Sequence, residues 1–249
     1  MVDSDERHGG NAAHNILKDE FYTQLLQRTK SGEFLAIVAA PPCSTFSVAR
    51  HFKSSDPTKP GPPPVRNREN PRGIPGLSLL HAREVKRANI IIARTCTILA
   101  AAANAGTEFI LENPADHGDP SDSYCYLHHE HCPLWLMSEI KSLIELSSGQ
   151  KVTFPFCALG HESQKMTTLL YTPGFTTSLS SLSQLKCTHK THKQVGGTTK
   201  NGEFTSSLAA HYPGGFNLIL AQSIAKLTDL ESNPINPCTQ RKGEQPTAV

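Results

Sequence analysis

Residues 34–47 read FLAIVAAPPCSTFS, an apolar run that stops at two prolines followed by a cysteine and small hydroxyl residues. The run over residues 34–40 is rich in Ile and Val without alternation, which predicts a strand buried on both faces of a sheet. The two prolines stiffen the chain, so the Cys43 thiol is held in one direction at low entropic cost. Cys43 is therefore either a nucleophile at the end of a strand or a small buried core residue.

The rest of the chain alternates between helical and extended patterns. Apolar residues recur at helical spacing in three segments: 19–29, 79–105 and part of 208–227. Short apolar runs predict three further strands: 107–111, 152–158 and 167–172. Strand, long helix, strand and then more strands predict an α/β fold with a mostly parallel sheet, Rossmann-like in architecture.

Length and composition favour one folded domain without a membrane span. The chain has 249 residues, a net charge of +2 and seven cysteines, an odd number that favours free thiols. No secretory signal and no apolar run of about 20 residues is found, which predicts an intracellular protein, nuclear if the source is eukaryotic. We expect a disordered leader over residues 1–13, a domain over 14–227 and a loose tail over 228–249.

Two of the predicted strands end in residues that suggest chemistry. The first ends in Pro41-Pro42-Cys43 and the second in Glu112-Asn113-Pro114. If the strands are parallel neighbours, as their single connecting helix favours, Cys43 and Glu112 project into one crevice. A thiolate adds to an electron-poor ring carbon while a protonated carboxyl donates to a ring nitrogen, which is covalent catalysis with an acid partner.

PPCSTFS and LENP resemble the Pro-Cys and Glu-Asn motifs of the DNA cytosine-5 methyltransferases. Two later segments, FCALGHESQKMTTLLYT and AAHYPGGFNLILAQSIA, resemble divergent methylase-like domains of mobile elements. The resemblance implies that Cys43 attacks C6 of a flipped cytosine in DNA and that Glu112 engages N3. It also implies methyl transfer from S-adenosylmethionine, with Pro42, Ser44, Asn113 and Pro114 as substrate-binding residues.

The sequence departs from that family in its cofactor-binding part. No strand with a glycine-rich turn and no ribose-binding acidic residue precedes Asn15. Only Asn15 and Pro41 remain as cofactor-binding candidates, which predicts an N-terminally truncated methyltransferase fold with weak cofactor binding. Two functions stay open: a DNA cytosine-5 methyltransferase, and a catalytically inactive remnant that at most binds nucleic acid through basic loops.

The proline-rich segment 48–78 has no periodicity and is interpreted as a loop that closes over the target base. Its basic residues outnumber Asp56 and Glu69 and are candidate phosphate contacts, with a solvated linker as the alternative: Arg50, Lys53, Lys59, Arg66, Arg68 and Arg72. Segment 173–207, with four more lysines, is interpreted as a rudimentary target-recognition segment.

Two short segments are rich in cysteine and histidine: CYLHHEHC, from Cys125 to Cys132, and CTHKTH, from Cys187 to His192. Structural zinc sites usually combine closely spaced pairs of cysteines and of histidines. Neither segment has that spacing, although together they contain enough residues for four ligands. The spacing therefore favours histidines on surface loops and no metal site.

Overall fold

The computed structural model describes residues 10–52, 58, 61–193 and 211–232, with side chains of the last helix to residue 228. The helices are α1 (Asp19–Lys30), α2 (Leu79–Asn104), α3 (Ser138–Ser147), α4 (Thr176–Leu179) and α5 (Gly214–Ser232). The strands are β1 (Ala36–Ala39), β2 (Glu108–Pro114), β3 (Gln150–Pro155) and β4 (Met166–Tyr171). Among the described residues, no helix combines the length and apolarity needed to cross a bilayer.

The four strands form one mixed sheet in the order β1-β2-β4-β3. β1 and β2 are parallel, as predicted, but β4 runs antiparallel to both β2 and β3. The α/β class is confirmed, and the expectation of a mostly parallel sheet is wrong. The connection from β3 to β4, residues 156–165, contains only a 3-10 turn and a loop, and so short a link favours reversing the chain over a parallel crossover.

Two apolar clusters pack against opposite faces of this sheet because successive strand residues point to opposite sides. Phe109 and Leu111 of β2 pack with α2 and α3, in a cluster that includes Leu99 and Ile140. Ile110, between them, packs on the other face, in the cluster that includes Phe216 of α5. Glu112 is two residues after Ile110 in β2, so its side chain lies on the same face of the sheet, the one packed against α5.

β1 is an edge strand of this sheet and is less buried than the sequence predicts. Its Val38 side chain is 41% exposed, so the expectation of burial on both faces is wrong. Ile37 and Ala39 pack against the α2 side, whereas the opposite face is only partly covered at this edge. The apolar composition of residues 34–40 therefore predicts a strand but does not predict how deeply that strand is buried.

The helices follow the sequence pattern with two differences. α3 was not predicted, although Ile140, Leu143 and Ile144 have helical spacing and pack in the α2-side cluster. α5 begins directly after Pro213 and continues to Ser232, so residues 228–232 of the predicted loose tail are helical, and the rest of that tail lies outside the described residues. Of the predicted leader, residues 1–9 lie outside the described residues and Ala12–His14 form a 3-10 turn.

Candidate active site

The parallel pairing of β1 with β2 brings Cys43 and Glu112 to the same end of the sheet. In the register, Ala36 lies opposite Glu108 and Ala39 opposite Leu111. Glu112 is therefore one residue beyond the last paired position, inside β2 rather than after it. Cys43 lies four residues beyond the end of β1, where it caps the 3-10 turn Ser44–Phe46. The predicted proximity of the two strand ends is confirmed.

Glu112 is buried, 5% exposed, and three side chains from β4 and from the start of α5 surround its carboxyl group. Thr167 Oγ1 donates a hydrogen bond to Oε1 over 3.2 Å, and Tyr212 Oη donates one to Oε2 over 3.0 Å. Lys165 Nζ lies 3.5 Å from Oε1. Each carboxyl oxygen accepts one of these hydrogen bonds, so both keep a lone pair for a further partner.

The antiparallel direction of β4 is what brings Lys165 and Thr167 to this site. Pro114, at the end of β2, lies opposite Thr167, at the start of β4. Tyr212 immediately precedes α5, and its ring packs edge-on against Phe156 and Phe216. None of these three residues was predicted as a site residue, although all belong to the later segments FCALGHESQKMTTLLYT and AAHYPGGFNLILAQSIA.

The half-buried Cys43 thiol lies within the electrostatic influence of this group of side chains. Burial raises the pKa of Cys43 above its ordinary value, the Lys165 ammonium opposes that rise, and the Glu112 carboxylate adds to it. The pKa of Tyr212 is also raised, by burial and then by the charges of Glu112 and Cys43. Cys43 is therefore a thiol at neutral pH, and Lys165 is the neighbouring cation that favours its ionisation.

This arrangement predicts opposite effects of two substitutions on the reactivity of Cys43. Lys165→Met should slow alkylation by iodoacetamide severalfold at pH 7 and move the pH–rate profile upward, because the cation that lowers the pKa of Cys43 is lost. Glu112→Gln should accelerate alkylation and move the profile downward. Peptide mapping across a pH series measures both, with Lys141→Met and Glu145→Gln on the exposed side of α3 as controls. Shifts of the same sign in both variants would contradict the electrostatic account.

The four predicted substrate-binding residues are placed differently from one another. Pro42 and Ser44 are exposed beside Cys43. Asn113 is buried, and its amide donates a hydrogen bond to the Pro41 carbonyl over 3.0 Å, which joins the two strand ends. The carbonyl of Pro114 accepts a 2.8 Å hydrogen bond from the Trp135 indole. Asn113 and Pro114 therefore hold the site together, whereas Pro42 and Ser44 are accessible to a ligand.

The two cofactor-binding candidates, Asn15 and Pro41, each accept a hydrogen bond from within the protein. Oδ1 of Asn15 accepts the Leu17 N–H over 3.0 Å, within the turn that precedes α1. The Pro41 carbonyl is occupied by Asn113. Among the described residues, the glycine-rich turn and the ribose carboxylate of the resembled family have no counterpart beside Cys43. Both candidates therefore make structural contacts within the described part of the chain.

Most of the predicted phosphate contacts in segment 48–78 are engaged within the protein. The Arg50 guanidinium pairs with Glu84 and donates to the Ser44 and Pro63 carbonyls. Arg68 donates to both oxygens of Asp116, at 2.9 and 3.1 Å, and the exposed Arg72 pairs with Glu139. Lys53 and Lys59 lie outside the described residues.

Arg66 is the most deeply buried of these cations, 2% exposed. Its Nε donates to Thr45 Oγ1 over 3.2 Å, one Nη donates to the Pro71 carbonyl, and its guanidinium stacks 4.1 Å from the centre of the Phe46 ring. Burial lowers the pKa of Arg66 to about 10. These contacts hold residues 66–71 of segment 48–78 onto the turn that follows Cys43.

The segment CYLHHEHC contributes buried histidines with structural partners. His131 accepts the His117 N–H at Nδ1 over 3.0 Å, and its Nε2 lies 2.9 Å from the Phe46 carbonyl. His128 stacks on His51 with ring centres 4.4 Å apart, and one donor atom of Glu130 lies within 4.8 Å of a ring nitrogen of each. Only His129 of its three histidines is fully exposed, so this segment packs against the turn after Cys43 rather than forming a free surface loop.

Comparison with protein-family models, with curated proteins and with solved structures returned no match for this chain. Function is therefore inferred from the geometry around Cys43 and Glu112 and from the sequence motifs PPCSTFS and LENP.

Proposed function

We propose that this chain engages cytosine in DNA in the manner of a DNA cytosine-5 methyltransferase, with Cys43 as nucleophile and Glu112 as acid. The observation that carries the proposal is the parallel pairing of β1 and β2, which places a thiol and a buried carboxyl in one electrostatically coupled group. The partner is DNA with a cytosine flipped out of the duplex, since a stacked base does not expose C6 to a side chain.

The proposed chemistry uses the side chains of this chain alone. The Cys43 thiol loses its proton to solvent with the help of Lys165, and the thiolate forms a bond to C6. Glu112 takes up a proton from solvent as the base binds and passes it to N3 as that bond forms, which leaves an enamine whose C5 takes a proton from water. Loss of the other C5 hydrogen, return of the N3 proton to Glu112 and cleavage of the C6–S bond restore cytosine with its C5 hydrogen exchanged.

The side chains around Glu112 support this role. Thr167 and Tyr212 fix the carboxyl group from two directions, so its plane is held without side-chain motion. Burial makes each of these hydrogen bonds stronger than it would be in water. A carboxyl group fixed in this way at a strand end beside a thiol is a preorganised acid–nucleophile pair.

Methyl transfer from S-adenosylmethionine requires a cofactor site, and the observed contacts of Asn15 and Pro41 do not by themselves supply one. The proposal is therefore limited to the activation of the base, which needs no methyl donor. The DNA cytosine-5 methyltransferase reaction as a whole becomes possible for this chain only with a cofactor-binding segment from elsewhere.

The alternative function, an inactive remnant that binds nucleic acid through basic loops, has less support. It requires cations free to contact phosphates, but Arg50, Arg66 and Arg68 are engaged by partners within the protein. Arg72 is more exposed and remains available on its outer side. The basic excess of segment 48–78 therefore does not amount to a phosphate-binding surface in the residues described.

Hydrogen exchange at C5 of cytosine tests the proposed function without the cofactor. The protein is incubated with DNA tritiated at C5 of cytosine, and the release of tritium to water is followed against a protein-free control. We expect release above that control with single-stranded DNA or DNA with a mismatched cytosine, where flipping costs least. No release from any of these substrates would contradict the proposal.

A further inference from the structure

Four side chains with the chemistry of zinc ligands converge beside the connection between β3 and β4. They are Cys157, from the 3-10 turn Phe156–Leu159, and three residues of CTHKTH: Cys187, His189 and His192. One donor atom from each lies within 4.8 Å of every other. The Cys187 sulfur is 3.1 Å from Nε2 of His192 and 3.7 Å from Nδ1 of His189. Cys157 lies 30 positions before Cys187 in the sequence, so the spacing within CTHKTH alone does not reveal the group.

We propose that Cys157, Cys187, His189 and His192 form a structural zinc site that ties residues 186–193 to the turn after β3. Two thiolates and two imidazoles are a common ligand set of closed, tetrahedral zinc sites. Ligand atoms around a tetrahedral zinc ion are roughly 3.3–3.8 Å apart, given bonds of about 2.0–2.3 Å. The observed donor separations are close to that range, so small side-chain movements suffice to bind the ion.

The surroundings of the four side chains suit a structural site. Cys157 is 2% exposed, so one side of the ion is shielded from solvent, whereas His189 is exposed on the other. The nearby lysines have other partners: Lys193 pairs with Glu162 over 2.7 Å, and Lys186 lies over the Tyr124 ring. Two thiolates neutralise the charge of Zn²⁺, so the occupied site adds no net charge to this half-buried position.

The segment from Leu185 to Lys193 has few other interactions to hold it in place. It forms no regular secondary structure, and most of its side chains are exposed. The Cys187 N–H donates to Tyr124 Oη over 3.1 Å, and the Lys193 N–H donates to the Glu162 carbonyl over 3.1 Å. A metal ion that joins this segment to Cys157 supplies the missing cross-link. The turn that contains Cys157 also contacts the site residue Lys165, because the Phe156 N–H donates to the Lys165 carbonyl.

Metal analysis of the purified full chain tests this site. The wild-type protein should retain about one zinc per chain through dialysis and should give the visible bands of tetrahedral Co²⁺ with thiolate ligands after cobalt exchange. His189→Gln, at an exposed position, should lose the zinc and lower the melting temperature by about 5 °C or more. His128→Gln is the matched control, because it disrupts the other group of metal-ligand residues, His51, His128 and Glu130, and should retain the zinc.

Three results would overturn the site. One is wild-type protein that neither contains zinc nor takes up Zn²⁺ or Co²⁺. Another is zinc that is retained in His189→Gln but lost in His128→Gln, which would assign the metal to the other group. The third is a Cys157–Cys187 disulfide, found by peptide mapping under non-reducing conditions, in protein purified from a reducing cytosol. Because Cys157→Ser changes a buried residue, His189→Gln is the variant on which the test depends.

Discussion

In the C5 exchange assay, Cys43→Ser should reduce tritium release from cytosine to the level of the protein-free control. A serine hydroxyl is far less acidic than a thiol and does not form the anion that adds to C6. Glu112→Gln should reduce release by about 10²–10⁴-fold, which is the contribution of a positioned general acid. An amide fills the same space, but its single oxygen keeps only one of the hydrogen bonds from Thr167 and Tyr212, and its N–H is not acidic enough to protonate N3.

Two controls separate chemistry from folding in this comparison. Glu145→Gln makes the same chemical change on the exposed side of α3 and should leave the exchange rate unchanged. Equal melting temperatures of wild-type and Cys43→Ser protein show that the fold is intact. Exchange at the wild-type rate in Cys43→Ser would show that another group is the nucleophile.

Arg66→Ala should lower the free energy of unfolding by about 2–4 kcal/mol, one of the larger effects expected from a single substitution in this chain. The change removes hydrogen bonds to Thr45 and Pro71 and the stacking on Phe46, and it leaves buried polar groups without partners. Urea denaturation measures the loss. Arg87→Ala, at an exposed position of α2, is the matched control and should change stability by less than about 0.5 kcal/mol.

The same variant separates a structural role of Arg66 from a role in binding DNA. A stability loss of the expected size assigns Arg66 to holding segment 48–78 onto the turn of Cys43. Arg66→Ala protein as stable as the control, with DNA affinity that depends less steeply on salt, would restore the phosphate-contact interpretation.

The meeting of Cys43 and Glu112 was predictable because it depends on local patterns. Each apolar run ends in a polar motif, and the single long helix between the two runs favours parallel neighbours. The chemistry of the pair then follows from the residue types. Lys165 and Tyr212 were not predictable in this way, because Lys165 reaches Glu112 only through the direction of β4, and Tyr212 only through the packing of the start of α5 against the sheet.

Strand direction is not encoded in an apolar pattern, since residues 167–172 are equally apolar in either direction. The signal that was available is the short connection through Gly160, which favours an antiparallel neighbour. The composition of segment 48–78 likewise predicts its positive charge but not the partners of its arginines. Arg50, Arg66 and Arg68 contact residues that are distant in the sequence. Partners such as Glu84 and Asp116 become apparent only when the segment is folded onto α2 and the end of β2.

The most direct test of the central claim is covalent capture of Cys43 by DNA that contains pyrimidin-2-one in place of one cytosine. This base lacks the 4-amino group, so its ring is more electron-poor and its C6 accepts a thiolate without any methyl donor. Intact-mass and peptide analysis should find one oligonucleotide per chain on the peptide that contains Cys43, and none in Cys43→Ser. No adduct with the wild-type protein, or an adduct on another cysteine such as Cys187, would contradict the assignment of Cys43 as the nucleophile.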